Sequence, residues 1–254
     1  MGRFDGYIIG SDFDGTLCIG GKVSERNLEA IRYFRGEGGH FGVVTGRNYG
    51  STYPHVTHFV TDCYDFTVGL NGAFGALPDG EFFFEEHGDI HNVIPLYEYL
   101  RSCEDAVWVG CAVGKEFYFL GEDEDKTPPQ SLIGGGIFNQ VNVPCVSDEA
   151  AQMICGQIRE RFCAYFNPLQ NGGTIDIPPA GVSKATGILR AAEHFGISAE
   201  NIFTVGDNYN DLDMIRAFNG CAVENAVDSV KAAAECTVPD VAGVIEYIEK
   251  SRAL

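Results

Sequence analysis

The sequence predicts an α/β protein: a doubly wound parallel sheet interrupted by an α+β insertion. Three observations predict it. Short apolar runs alternate with helix-spaced segments at both ends of the chain. Acidic, hydroxyl or amide residues recur directly after those runs. In the middle the order changes to helix–strand–strand, and does so twice.

Tyr7–Gly10 is an apolar run that stops at Ser11 and Asp12, as a strand covered on both faces should. Ser24 is placed to cap a helix, with Leu28, Ile31 and Phe34 at helical spacing and Gly36, Gly38 and Gly39 ending it. His40–Val44 reads as a second buried strand, ending at Thr45-Gly46-Arg47, and Phe66–Leu70 as a third, ending at Asn71-Gly72. Pro95–Cys103 sets Leu96, Tyr99, Leu100 and Cys103 on one helical face, with Pro95 in the first turn. Val107–Val113 and Glu116–Leu120 follow as strands, and the acidic Gly121–Gln130 as a solvated loop. Ser147 precedes a helix with Ala151, Ile154, Ile158 and Phe162 on one face. Ala164–Leu169 and Thr174–Pro178 are strand-like and joined at Asn171-Gly172-Gly173, a hairpin signal.

Lys184–Phe195 is helical, with Ser183 as its cap and Gly196 at its end. Ile202–Val205 is a strand stopping at Gly206-Asp207. A helix around Asp211–Phe218, the strand Cys221–Val223, and helices over Ser229–Cys236 and Val241–Lys250 complete the chain. The expected organisation is therefore a core of residues 1–82 and 181–254 and an inserted cap of residues 83–180.

Composition narrows the function. At 254 residues the chain suits one large or two small domains, and 45% hydrophobic with 21% charged residues excludes disorder and fibrous repeats. A net charge of −19 repels phosphate backbones and anionic lipid, so neither nucleic acid nor membrane is an expected partner. An anionic substrate would need local cations. Nine cysteines, an odd number with no CxxC, indicate neither a disulfide framework nor a zinc knuckle. Reduced thiols and the lack of a signal-like apolar segment after Met1 lead to a cytoplasmic expectation. Ala106–Gly114 is too short an apolar stretch to span a bilayer.

Four segments carry chemistry, each at a strand end or a helix start, where open parallel sheets gather ligands along one edge. In Asp12-Phe13-Asp14-Gly15-Thr16 two carboxylates directly follow a strand and can converge; the ordinary alternative is a solvated Asp-Gly turn. In Gly206-Asp207-Asn208-Tyr209-Asn210-Asp211, Asp211 and Asp213 could simply be acids at a helix start, but Asp207 sits at the strand end. Bringing Asp207 to Asp12 and Asp14 would set like charges together, so raised pKa values or a bound cation are expected, and all-oxygen ligation suits Mg²⁺. The Thr45 hydroxyl and Gly46 amide could donate to a phosphoryl oxygen, whereas Arg47 reads better as a structural or surface residue. Lys184 in a first helical turn opposes the helix dipole unless an anion lies before it. Together the four segments suit phosphoryl transfer.

The DFDGT at 12–16, the TGR at 45–47, Lys184 and the GDNYND at 206–211 resemble, in that order, the four motifs of the haloacid dehalogenase superfamily. Asn71-Gly72 and the insertion between the second and third motifs resemble its Cof-type phosphatases with the large α+β (C2, or IIB) cap. The resemblance implies a Rossmann-like core and a Mg²⁺-dependent phosphatase acting through an aspartyl-phosphate. It makes Asp12 the nucleophile and Asp14 the acid and base. It gives the metal to Asp12, Asp207 and the Asp14 carbonyl, with Asp211 orienting the metal's waters. It gives the phosphoryl group to Thr45, Lys184, Asn210 and the amides of Phe13 and Gly46. An acid at Asp14 fits a phosphatase or phosphomutase.

By the resemblance, the expected partner is a small phosphorylated metabolite, foremost a sugar phosphate, with phosphorylated cofactors such as flavin or pyridoxal phosphates as the alternative, bound by a monomer or homodimer. A phosphomutase of the same superfamily and a non-catalytic phosphometabolite-binding or phospho-accepting protein are the alternatives. Gly110–Lys115 is one residue short of a Walker A spacing and is followed by Glu116 rather than Ser or Thr. His55/His58 and His87/His91 lack a third ligand for zinc. Asn139, Gln140, Asn142, Asn167, Thr174 and Asp176 are candidate cap contacts to substrate.

Overall fold

The structure, a computed structural model, describes residues 2–59 and 63–253, the side chains of 53–55, 57 and 59 aside. The chain begins β1 (Ile8–Ser11), β2 (Cys18–Ile19), β3 (Lys22–Val23), α1 (Glu25–Gly36), β4 (His40–Val44), α2 (Tyr49–Phe59), β5 (Phe66–Gly69), β6 (Phe74–Ala76) and β7 (Phe82–Glu85). It continues β8 (Gly88–Asp89), α3 (Val93–Leu100), β9 (Gly110–Val113), β10 (Glu116–Phe119), β11 (Ile137–Phe138), β12 (Gln140–Pro144), α4 (Asp148–Phe162), β13 (Leu169–Asn171) and β14 (Thr174–Ile177). It ends α5 (Lys184–His194), β15 (Ile202–Gly206), α6 (Leu212–Ala217), β16 (Asn219–Val223), α7 (Asp228–Ala233), β17 (Cys236–Val238) and α8 (Val241–Ser251).

The first sheet has eight strands in the order β17-β16-β15-β1-β4-β5-β6-β7, parallel from β17 to β5 and antiparallel at β6 and β7. Its strands alternate between two apolar layers. Ile9, Val43 and Phe203 enter one cluster with α1 and α8, while their neighbours Ile8, Val44 and Ile202 enter another with α5. A strand buried on both faces must be apolar at consecutive positions, which is why these runs do not alternate with polar residues. Burying such a side chain contributes roughly 1.5–3 kcal/mol, and the strand ends inherit the rigidity of the layers. The expected doubly wound, parallel-dominated α/β core is what the chain forms.

The middle segments build a second, antiparallel sheet in the order β10-β9-β12-β14-β13, with β12 at its centre. α3 and α4 pack on it through Leu96, Leu100, Ala151, Ile154 and Ile158. Asn171-Gly172-Gly173 turns β13 into β14 as its composition suggests, with Gly172 at φ +56°.

Some boundaries differ from expectation. The helix expected to Cys236 stops at Ala233, because Cys236–Val238 pair in parallel with Cys221–Val223 as a further sheet strand. The continuous ladder in the strand expected over Val107–Val113 spans Gly110–Val113, and in that expected over Ala164–Leu169 it starts at Leu169, although Val107 already donates to the Pro144 carbonyl at 2.8 Å and Asn167 to that of Pro178 at 2.9 Å. β7 carries the chain in the first sheet to Glu85, past the expected start of the insertion at residue 83. Among the described residues, no helix is long and apolar enough to cross a membrane.

Candidate active site

The four motif segments meet at one edge of the first sheet, because parallel strands release their chains on the same side. Asp12 follows β1, Thr45 follows β4, Asn71 follows β5 and Asp207 follows β15. Lys184 reaches them from the start of α5, a helix fixed by the Ser183–Thr186 capping box and by the Ala185 amide donating to Asp213 Oδ2 at 3.1 Å. Asp213 thus joins two helix starts.

Lys184 is completely buried, and its Nζ donates to Asp12 Oδ1 and Asp211 Oδ1, each at 2.6 Å. Burial works against the ammonium, but the two carboxylates outweigh it and hold its pKa above the usual lysine range. The anions before the helix that Lys184 requires are these side chains. Asp211 is itself fully buried, and its Oδ2 accepts from the amides of Asp207 at 2.9 Å and Asn208 at 3.0 Å. Its residue type and position alone fit an ordinary acid at a helix start, and the resemblance made it a supporting residue; here it binds the lysine and shapes the Asp207 turn.

Asp12 is 6% exposed. Its Oδ2 is buried with no hydrogen-bond partner among the described residues. Burial pushes its pKa well above the usual carboxylate range; Lys184 opposes this, and Asp211 and Asp207 add to it. Burial also raises Asp207, although the Thr16 hydroxyl donates to its Oδ1 at 2.9 Å. A Cβ at Gly15, where φ is +87°, would lie 2.4 Å from Asp207 Oδ2, so glycine alone allows this approach.

One ligand atom each from Asp12, Asp207 and Asp211 lie within 4.8 Å of one another. Among the described residues no other group of His, Cys, Asp and Glu meets this condition. The carboxylate that joins Asp12 and Asp207 is Asp211, not Asp14. Residues two apart share a side only while the backbone stays extended, and it turns between Phe13 and Gly15. The Asp14 carboxylate instead accepts two hydrogen bonds from Arg47, Nε and Nη2 both at 2.7 Å, while the guanidinium lies 5.6 Å from the centre of the Phe13 ring. Arg47 therefore lines the cavity as the structural partner of Asp14, the first of the two readings its sequence allows.

Thr45 is buried, and its Oγ1 accepts from the Arg47 amide at 3.2 Å. Gly46 faces the second sheet: Gln140 Nε2 donates to its carbonyl at 3.2 Å, and a Cβ there would lie 2.7 Å from Asp176 Oδ2. The Phe13 ring is buried in the core. Asn210 Nδ2 donates to Asn71 Oδ1 at 3.2 Å.

Asn71 has no assigned role in the sequence reading beyond its Asn-Gly pair, yet it is a hub. It adopts φ +52° and ψ 35°, a region Asn tolerates better than most residues. Its Nδ2 donates to Gln140 Oε1 and Asp176 Oδ2, both at 3.0 Å. Burial raises the pKa of Asp176, and donors from Asn71 and from Asn142, the latter at 2.7 Å, oppose the rise. Of the candidate cap contacts, Gln140 and Asp176 touch the first sheet's loops, and Asn142 and Thr174 line the cavity. Asn139 instead bonds Glu85 and Glu86, and Asn167 bonds the Val182 carbonyl.

Between the two sheets lies a cavity of about 410 Å³. Asp12, Asp14, Thr45, Gly46, Asp207 and Asn210 line one side, and Trp108, Phe117, Phe119, Asn142, Thr174 and Asp176 line the other. Carboxylates and a hydroxyl around such a cavity, with a buried ammonium paired to Asp12 behind it, define a hydrolase of the phosphoryl-transfer kind.

Residues 9–248 match the family of haloacid dehalogenase-like hydrolases, and the chain belongs to that family, as its motifs lead one to expect. It is 37% identical over 231 residues to a 5-amino-6-(5-phospho-D-ribitylamino)uracil phosphatase of Bacillus subtilis (90% of this chain, 88% of the relative). It is 31% identical over 264 residues to a phosphatase of the same name from Escherichia coli (96% and 95%). Among solved structures, a phosphatase of this superfamily from Bacteroides thetaiotaomicron superposes with TM-score 0.80 at 20% identity, covering 100% of this chain and 97% of that one. The chain is accordingly a phosphatase-type hydrolase of this family, with the Cof-like core and second sheet.

Proposed function

We propose that this protein is a Mg²⁺-dependent phosphomonoesterase that hydrolyses small phosphorylated metabolites, sugar and sugar-alcohol phosphates foremost, through an aspartyl-phosphate on Asp12. The observation that carries this is the buried Asp12 carboxylate, fixed at one oxygen by Lys184 and unpartnered at the other. Two relatives named for a phosphorylated ribityl substrate support the sugar-like class.

The residues fit a divalent ion. Three acidic side chains converge, two of them sharing one buried lysine, their donor atoms are all oxygen, and Asp12 Oδ2 lacks a partner among the described residues. Asp12, Asp207 and the Asp14 carbonyl would hold Mg²⁺. When bound there, it offsets carboxylate charge and draws negative charge from the phosphoryl oxygens.

Lys184, Thr45, Asn210 and the amides of Phe13 and Gly46 orient the phosphoryl group. The Asp12 carboxylate then attacks phosphorus, forming its own P–O bond as the bond to the leaving oxygen breaks. Asp14, at the cavity, takes up a proton as it parts from Arg47, which pairs with both its oxygens here, and gives that proton to the leaving oxygen. In the second half Asp14 takes a proton from water, whose oxygen attacks phosphorus and frees Asp12. Asp211 keeps Lys184 and the Asp207 turn in place.

Residues 86–180 act as the cap that excludes bulk water and selects the leaving group, on a core of residues 1–85 and 181–254. The nine free thiols fit a reducing, cytoplasmic setting. The test is Mg²⁺-dependent hydrolysis of an aryl phosphate by the wild type and by Asp12→Asn. A loss of about 10³-fold or more is expected. Equal rates would remove Asp12 as nucleophile.

A further inference from the structure

Two of the nine thiols stand side by side, away from the cavity. Cys221 of β16 and Cys236 of β17 are register partners in neighbouring parallel strands, and their sulfurs lie 3.4 Å apart. Neighbouring strands are spaced about 4.8 Å, within the Cα separation of about 4.4–6.8 Å that a disulfide spans. To bond, the sulfurs must close to about 2.05 Å, a movement of side chains rather than of strands.

The two sulfurs differ in setting. Cys221 is fully buried in the apolar layer shared with α1 and α8. Cys236 is half-buried on the edge strand of the first sheet. Hydrogen bonding with Cys221 holds the Cys236 thiol below its ordinary pKa, against burial and the nearby Glu235. The same contact, with burial, holds Cys221 above it. Oxidants attack the thiolate, so the more accessible sulfur is also the more reactive, and the buried one stands where it can displace the product. Cys163 is exposed, but no second sulfur is in hydrogen-bond contact with it among the described residues.

The segment between the two cysteines, residues 222–235, supports the active site. Asn225 Nδ2 donates to the Gly15 carbonyl at 2.7 Å, and the Val227 amide donates to the Asp207 carbonyl at 2.9 Å. Two turns of the site therefore lean on a segment whose ends are these thiols.

We propose that Cys221 and Cys236 form a reversible disulfide, a redox-sensitive staple that stiffens the segment holding the Gly15 and Asp207 turns. With hydrogen peroxide as the oxidant, the Cys236 thiolate attacks one peroxide oxygen and the O–O bond breaks. The hydroxide that leaves takes up the proton Cys236 had released, giving one water and a sulfenic acid on Cys236. The Cys221 sulfur then attacks the Cys236 sulfur. The S–S bond forms, the S–O bond breaks, and hydroxide leaves with the Cys221 proton as a second water. The thiol pair loses two electrons and the peroxide gains them. A dithiol reverses the change by exchange.

The test treats the full chain with hydrogen peroxide, blocks the remaining thiols and digests without reductant. Trypsin cuts after Lys231, between the two cysteines, so residues 217–231 should be recovered joined to residues 232–250, and dithiothreitol should part them. The oxidised wild type should melt about 5–10 °C above the reduced protein, and its Val227 amide should exchange hydrogen about tenfold or more slowly. Cys236→Ala should lose both differences. In Cys221→Ala, which lacks the second sulfur, Cys236 should stop at the sulfenic acid and be trapped by dimedone. Oxidised and reduced wild type are compared without any variant, so the result stands even if Cys221→Ala folds poorly. Unlinked peptides in the oxidised wild type, a link through Cys163 instead, or a link that leaves Val227 exchange unchanged overturns the proposal.

Discussion

Replacing Lys184 with methionine keeps the length of the side chain and removes its charge. In the wild type the ammonium bridges Asp12 and Asp211 at 2.6 Å each, with no exposure to solvent. Without it two buried carboxylates face each other within 4.8 Å. At that distance and an effective dielectric near 20, they repel by about 3.5 kcal/mol. Breaking a buried pair by removing one partner generally costs about 3–5 kcal/mol, which agrees. For a chain of this size that corresponds to a fall in Tm of about 6–20 °C.

The assay is thermal and urea unfolding followed by far-ultraviolet circular dichroism, in chelator, at several pH values. Lys184 has a raised folded pKa, so its contribution is fully present below the ordinary lysine value of 10.5 and is lost only as pH climbs through the folded value. Asp12 also has a raised folded pKa, but with the opposite consequence. The penalty for burying its charge is complete above that folded value and fades as pH falls towards the ordinary 3.8. The gap between Lys184→Met and wild type should therefore be widest at a pH well above the ordinary carboxylate range and narrow as pH falls towards 3.8. A variant within about 1 kcal/mol of wild type at the higher pH would refute the electrostatic account of the site.

Asp14→Asn should separate chemistry from stability. The Asp14 carboxylate is 53% exposed, so losing its arginine pair should change unfolding by less than about 1 kcal/mol. Aryl phosphate turnover should nonetheless fall by about 10²–10⁴-fold. Mg²⁺ at about a hundred times its Kd should stabilise the wild type by about 2.7 kcal/mol in thermal unfolding, and Asp207→Asn should abolish that increment. Asn71→Ala forces alanine into a positive-φ position, at about 1–2 kcal/mol. It also deprives Asp176 of a donor, at about 1–3 kcal/mol more, so a combined loss of about 2–5 kcal/mol is expected in urea unfolding. Asn71→Gly should recover the backbone part.

The parts of this molecule legible in sequence are those whose cause is local. Ile8-Ile9 and Val43-Val44 are apolar at consecutive positions because helices cover both faces, and that pattern locates the strand ends where Asp12 and Thr45 stand. Ser183 before Lys184 marks a helix start, and a lysine there calls for an anion. Contacts made at long range were not legible. Arg47 meets Asp14 from 33 positions away, and Asn71 meets Asp176 from 105 away, so no spacing could pair them. Asp14 itself shows the limit of a two-residue spacing, since a turn removes the shared face. Phe117 and Phe119 announce one side of a strand by their alternation, but which way that side looks is decided by how the two sheets meet. Cys236 ended in a strand rather than a helix because its partner Cys221 supplies an edge to pair with.

The polar bridge from Asn71 to Gln140 and Asp176 has a consequence for turnover. On the proposed function, the loop that would cradle the phosphoryl group and the cap over it are tied through the same side chain, so shaping the cradle and closing the cap would be one event. Because the latch is polar, each bond broken on opening can be replaced by one to water, whereas an apolar seal would have to expose its surface without compensation. On the proposed function, such a lid would hold tightly enough to enclose the leaving group and still release product without a large barrier.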